Sequence, residues 1–230
     1  VSIGKAAARI SGDYRTSGGV SSVRMALRGE KMPLTELQAA LPAIGVTLPP
    51  GAVLTEGTLD LDLAIAGPVD RLAIDGPIGV ANAKMTGFDL GEKMGAIASL
   101  AGIQRVGDTP IETLTGMLHM TPDGIRIDAF NMVTPAIGTL TGDGTISPQG
   151  AMNFAMLAKL KEGLIAAPSG GLGQVVAYGQ KNGVPFRIQG TTKNPSFVPD
   201  VGRALRSAAE TLKETVKDPE KLKKAADSIV

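Results

Sequence analysis

The chain of 230 residues is long enough for one large or two small domains and for a buried core. Its 23 basic and 22 acidic residues leave a net charge of +1, which gives no support for nucleic-acid binding, and the absence of Cys excludes disulfides, thiolate metal sites and a Cys nucleophile. Hydrophobic residues make up 43% but aromatics only 3%, with no Trp, so the apolar surface is aliphatic; 30 Gly and 15 Pro suit a chain that turns often.

The recurring signal along the chain is strict alternation, which puts successive side chains on opposite faces of a strand. At the N-terminus Ala6, Ala8 and Ile10 alternate with Ala7, Arg9 and Ser11, and Val23, Met25 and Leu27 with Arg24, Ala26 and Arg28. A short helix follows Pro33, with Leu34, Leu37 and Leu41 at helical spacing before Pro42. In residues 57–66 Leu59, Leu61, Leu63 and Ile65 share one face and Thr58, Asp60, Asp62 and Ala64 the other. After the Gly67-Pro68 turn, residues 71–80 continue with Leu72, Ile74, Ile78 and Val80. A second helix is predicted from about Asp89, with Leu90, Met94, Ile97 and Leu100 on one side.

A meander of short hairpins comes next. Leu114, Gly116, Leu118 and Met120 share a face before the turn Thr121-Pro122-Asp123-Gly124. Ile125, Ile127 and Ala129 alternate with Arg126 and Asp128, although Phe130 and Met132 break the rule. Thr139, Thr141, Asp143 and Thr145 form a polar face, and after Ser147-Pro148-Gln149-Gly150 the residues Met152, Phe154, Met156 and Leu160 line an apolar one. The Gly- and Ala-rich stretch 165–183 reads as a loop or weak helix; Val184, Phe186 and Ile188 mark a last strand. Two helices are predicted beyond it, on Val201, Leu205, Ala208 and Leu212 and on Leu222, Ala226 and Ile229. The expected fold is mainly β with some α: a strongly bent antiparallel sheet over residues 1–200 with two short helices, and a C-terminal amphipathic helix at 201–230 packing on it.

Few residues invite a catalytic reading. His119 is the one histidine, placed by alternation on the polar face, and no second His or Cys completes a metal site. Asp60 and Asp62 are spaced as a carboxylate pair on one strand face, the basis for a carbohydrate-active alternative, but the lack of Trp removes the rings on which sugars commonly stack. Gly142-Asp143-Gly144 falls inside a strand pattern, where Gly marks a bend or bulge, and Gly170-Gly171 lacks the Lys-Ser/Thr of a phosphate loop. In the C-terminal helix Lys213, Lys217, Lys221, Lys223 and Lys224 are offset by Glu210, Glu214, Asp218, Glu220 and Asp227, which favours a solvated helix over a membrane-surface one. The best candidate is the apolar stripe Leu59, Leu61, Leu63, Ile65, Leu72, Ile74, Met152, Phe154 and Met156. Patterning alone leaves it able either to face a closed core or to line an open groove.

Four segments in order, LAIDGPIGVANAKMTGFDL (72–90), TPIETLTGML (109–118), PAIGTLTGDGTISPQGAMNF (135–154) and FRIQGTTKNPSFVPD (186–200), resemble the C-terminal region of the AsmA-like proteins of Gram-negative envelopes. The resemblance spans roughly residues 59–200. It implies a periplasmic module of an inner-membrane-anchored protein whose β-groove shields lipid acyl chains during phospholipid transport and outer-membrane biogenesis. It implies no enzyme, no catalytic residue and no cofactor; the partners would be phospholipid or another acyl-chain lipid, and envelope proteins if the sheet instead serves as an interaction scaffold for outer-membrane assembly. The chain starts at Val1 with no signal-like segment and has no apolar run of ~18 residues, so the family's transmembrane anchor is expected outside it.

Overall fold

In the computed structural model the described residues form eleven antiparallel strands that pair in chain order, from β1 at one edge to β11 at the other. They are β1 (Ser2–Ile3), β2 (Ala6–Ser17), β3 (Val20–Pro33), β4 (Val53–Pro68), β5 (Ala73–Thr86), β6 (Thr109–Thr121), β7 (Gly124–Thr134), β8 (Gly138–Ile146), β9 (Met152–Leu160), β10 (Val184–Thr191) and β11 (Asn194–Pro199). The structure describes residues 2–3, 5–38, 48–93, 108–135, 137–160, 183–200 and 202. Among these β2 and β11 do not pair, so the sheet is open and curled rather than closed into a barrel.

The turns follow from local chemistry. Gly18 and Gly19, at φ 58° and 81°, join the paired residues Ser17 and Val20. Positive φ at both central positions is the type I′ geometry whose twist matches that of a hairpin. Pro122 and Asp123 close the β6–β7 hairpin between the paired Thr121 and Gly124, and the Asp123 amide donates to Thr121 Oγ1 at 3.3 Å.

Among the described residues three non-glycine residues sit in the left-handed region: Lys31, Asn82 and Ala129, at φ 48°, 50° and 51°. Each lies at a register shift where its strand carries an extra residue against a neighbour, that is, at a β-bulge. A bulge reverses the in/out parity of the residues beyond it. This corrects the reading of β7: Ala129 is the bulge residue, not a member of the Ile125 and Ile127 face, and Phe130 and Met132 return to that face beyond it. The apparent break in alternation is therefore the sequence trace of the bulge.

The helices are short in the described residues. α1 (Leu34–Leu37) begins one residue beyond Pro33, which occupies the N-cap, and packs Leu34 against β3 and β4. α2 (Leu90–Lys93) is tied to β6: the Leu90 amide donates to Thr109 Oγ1 at 3.1 Å, and that hydroxyl donates to the Phe88 carbonyl at 2.8 Å. The predicted continuations through Leu41 and through Met94, Ile97 and Leu100, residues 165–182, and the helices expected beyond Val201 lie outside the described residues. Core packing is densest over β7–β10, where Ile137, Leu140, Met156, Ala158 and Phe186 are at most 2% exposed.

Candidate functional site

Cross-strand register carries the apolar positions into rows that run across the strands on one face of the curl. The row nearest the Thr121–Gly124 turn joins Met25, Ile65, Ile74, Met120, Ile125, Ile146 and Met152 in unbroken pairs from β3 to β9. At ~4.8 Å per strand it is roughly 29 Å long. The fourth row out, at the α1 end, joins Met32, Leu59, Val80, Leu114, Met132, Leu140, Ala158 and Val184. Between them lie Leu27, Leu63, Leu118, Ile127 and Phe154, and Leu61, Ile78, Phe130, Met156 and Phe186, interspersed with glycines.

Burial is graded over this floor. Met32, Met132, Leu140 and Ala158 of the fourth row are buried, whereas every residue of the first row remains half-buried. One margin of the apolar face is thus a packed core, and the other presents aliphatic and thioether side chains to solvent. Two glycines let the sheet curl around large neighbours. A Cβ on Gly144 would stand 2.2 Å from the Phe154 ring, and one on Gly142 would stand 2.6 Å from Met156 Sδ. Those side chains lie over the glycines, an arrangement that relieves the missing packing of Gly in a strand while bending the sheet.

The predicted stripe is assembled almost whole. Leu59, Leu61, Leu63 and Ile65 of β4, Ile74 of β5 and Met152, Phe154 and Met156 of β9 share the floor. Phe154 and Met156 belong to the buried cluster, with Leu59 and Met152 packed against it; Leu61, Ile65 and Ile74 are half-buried. Leu72 is the exception, because β5 begins at Ala73 and Leu72 lies in the turn before it. Met25, Met120, Ile125 and Ile146 complete the first row, although the predicted stripe does not contain them. Their alternation is visible in the sequence, but only the register shows that they align with Ile65 and Ile74.

The opposite face is polar, and the charges of its central strands are in part paired. His119 Nδ1 lies 2.7 Å from Asp75 Oδ1 and Nε2 lies 3.2 Å from Asp128 Oδ2, which also receives Arg126 Nε at 3.1 Å. With a carboxylate on each ring nitrogen, His119 laces β5, β6 and β7 together and has no nitrogen left to activate a nucleophile. Asp62 accepts Arg28 Nε at 2.9 Å, and Asp60 accepts the Lys31 amide at 2.9 Å, satisfying the bulge. Asp143 does the same for the bulge at Ala129, at 2.7 Å, so the Gly142-Asp143-Gly144 segment is a bulge partner within β8. Lys84 pairs with Asp108 at 2.9 Å, whose hydrogen bond and charge hold the ammonium above its usual pKa. Shallow depressions of about 690 and 550 Å³ on this face are lined in part by these same paired residues.

Chemically, then, His119, Asp60, Asp62 and Asp143 on the polar face are held in structural pairs, and the apolar floor is a surface for non-directional contact. Among the described residues no group of three His, Asp or Glu is placed to hold a metal ion, and no helix is long and apolar enough to cross a membrane. No protein-family model matches the chain, and comparison with curated proteins and with solved structures finds no match.

Proposed function

We propose that this chain is a non-enzymatic lipid-handling module whose curled sheet shields acyl chains, acting in the periplasm as part of an inner-membrane-anchored protein in phospholipid transport and outer-membrane biogenesis. The observation that carries the reading is the half-exposed row from Met25 to Met152, aligned across seven strands and continuous with a packed core. The resemblance to the AsmA-like proteins supplies the compartment and the pathway.

The physical case is one of transfer energy. Each methylene withdrawn from water contributes about 0.8 kcal/mol, so an acyl chain of about fifteen methylenes resists desorption by roughly 12 kcal/mol unless it meets an apolar surface on the way. Aliphatic and Met side chains supply that surface without fixing the ligand in one pose, which suits a chain that slides. Headgroups remain in water, so no charged cluster is needed on the floor.

The test is native mass spectrometry of the purified chain, followed by uptake of added phospholipid by wild type, Ile65→Asn and Ile74→Asn. The reading expects bound lipid in the wild type and at least a fivefold loss of uptake in the variants, with circular dichroism unchanged. A wild type that neither retains nor takes up lipid would overturn it, and would leave the floor as an interaction scaffold or an unfinished core.

A further inference from the structure

We infer that the far half of β2, from Ser11 to Ser17, is a self-association edge that pairs antiparallel with the same segment of a second copy, in a register centred on Tyr14. The two sides of the sheet differ. β11 carries Pro195 and Pro199 among its six residues, and proline in an edge strand removes donors that another strand would need. β2 has no proline in its twelve residues. Its near half is occupied, because β1 pairs with Ala6 and Ala7, and Ala8 has an interaction of its own. From Ser11 to Ser17 every residue is exposed, and among the described residues no strand pairs with the outer side. The Gly18-Gly19 turn makes Ser17 and Val20 a hydrogen-bonded pair, so Gly12, Tyr14 and Thr16 point their amides and carbonyls away from β3.

Space and charge together select the register. A two-fold axis perpendicular to the sheet keeps like faces together, so odd residues oppose odd and even oppose even. Centring on Ser11 or Gly12 drives the partner's strand into positions that β1 and Ala8 already use. Centring on Asp13 sets carboxylate against carboxylate, and centring on Arg15 sets guanidinium against guanidinium. Centring on Tyr14 sets Asp13 against the partner's Arg15 and, by the same axis, Arg15 against the partner's Asp13. Neither side chain is held in an ion pair within the described residues. Asp13 also stands opposite Arg24 of β3, so in the dimer each of these carboxylates lies between two guanidinium groups. Tyr14, 62% exposed, donates its hydroxyl to Ser21 Oγ at 2.7 Å, which lays the ring over β3 and leaves the edge backbone clear. The partner's strand ends opposite Ser11, where its turn folds back to its own β3, so β1 keeps its place. The two sheets become continuous, with both apolar floors on one side, and the inference does not depend on what the floor binds.

Sedimentation velocity of the full chain over roughly 5 to 500 µM, a range suited to a short polar seam, tests it. Wild type should dimerise with rising concentration, and amide exchange at Gly12, Tyr14 and Thr16 should slow in step. Asp13→Arg and Arg15→Asp should each weaken association about tenfold, because each reversal puts like charges opposite one another twice. An equimolar mixture of these two variants should regain it, since every introduced charge then meets its opposite. Arg9→Asp makes the same change of charge as Arg15→Asp but lies outside the seam, and should leave association unchanged. A wild type that stays monomeric, a mixture no tighter than either variant alone, or a loss on Arg9→Asp equal to that on Arg15→Asp would overturn the assignment.

Discussion

Gly144 of β8 and Gly79 of β5 stand in the same sheet and answer opposite demands, so alanine at each gives a sharp test of the packing. A Cβ at Gly144 meets the Phe154 ring at 2.2 Å and the Phe154 Cα at 2.7 Å. Rotating the ring relieves the first contact but not the second, so the β8–β9 pairing itself has to move. Phe154 is 5% exposed within the core cluster, and crowding a packed core costs about 1–3 kcal/mol; the backbone contact puts Gly144→Ala near the upper end, about 3 kcal/mol. At Gly79 the nearest atoms to an added Cβ are 3.9 and 4.0 Å away, ordinary contact distances, and φ is not in the left-handed region. Gly79→Ala therefore costs no packing and reduces the freedom of the unfolded chain, a gain of about 0.5 kcal/mol. For a chain of this length each kcal/mol moves Tm by about 2–4 °C, so thermal unfolding followed by circular dichroism should show Gly144→Ala lower by roughly 6–12 °C and Gly79→Ala unchanged or slightly higher. Equal Tm values for the two variants would refute the proposal that glycine under Phe154 permits the curl.

Asp143→Ala removes the acceptor of the Ala129 bulge amide at 2.7 Å and should lower stability by about 1 kcal/mol, with Asp60→Ala, at the Lys31 bulge, costing about the same; urea unfolding measures both. Thr134 is fully buried and, among the described residues, its Oγ1 has no hydrogen-bond partner, so Thr134→Val should raise the urea midpoint, by about 1 kcal/mol of stability. Asp60→Asn with Asp62→Asn should leave the lipid uptake of the chain unchanged, because both carboxylates are occupied with Lys31 and Arg28 on the polar face; a selective loss of uptake in this pair would move the site to that face.

The strands were legible wherever alternation ran unbroken, as in Leu59–Ile65 and Leu114–Met120. Alternation is a local property of the pleat, and it survives without knowledge of neighbours. It failed at Ala129 and Phe130 because a bulge depends on two strands at once, and the carboxylate that satisfies it, Asp143, comes from the next strand. The same limit separated the legible part of the site from the rest. Leu61, Ile65 and Ile74 could be chosen from their own segments, but Ile125 and Ile146 became part of the floor only through pairing across β6–β9. Likewise the sequence placed His119 on the polar face, yet its clasp between Asp75 and Asp128 spans more than forty residues of chain on one side.

The most direct test of the lipid-handling proposal is photo-crosslinking from the two faces of adjoining strands. A photoreactive amino acid at Ile65 or Ile74, on the half-exposed apolar row, is to be compared with one at Ala64 or Asp75, the paired residues on the opposite face. With radiolabelled phospholipid supplied in vesicles, lipid handling on the floor predicts adducts from Ile65 and Ile74 and none above background from Ala64 and Asp75. Adducts in equal yield from both faces, or from neither, would contradict it.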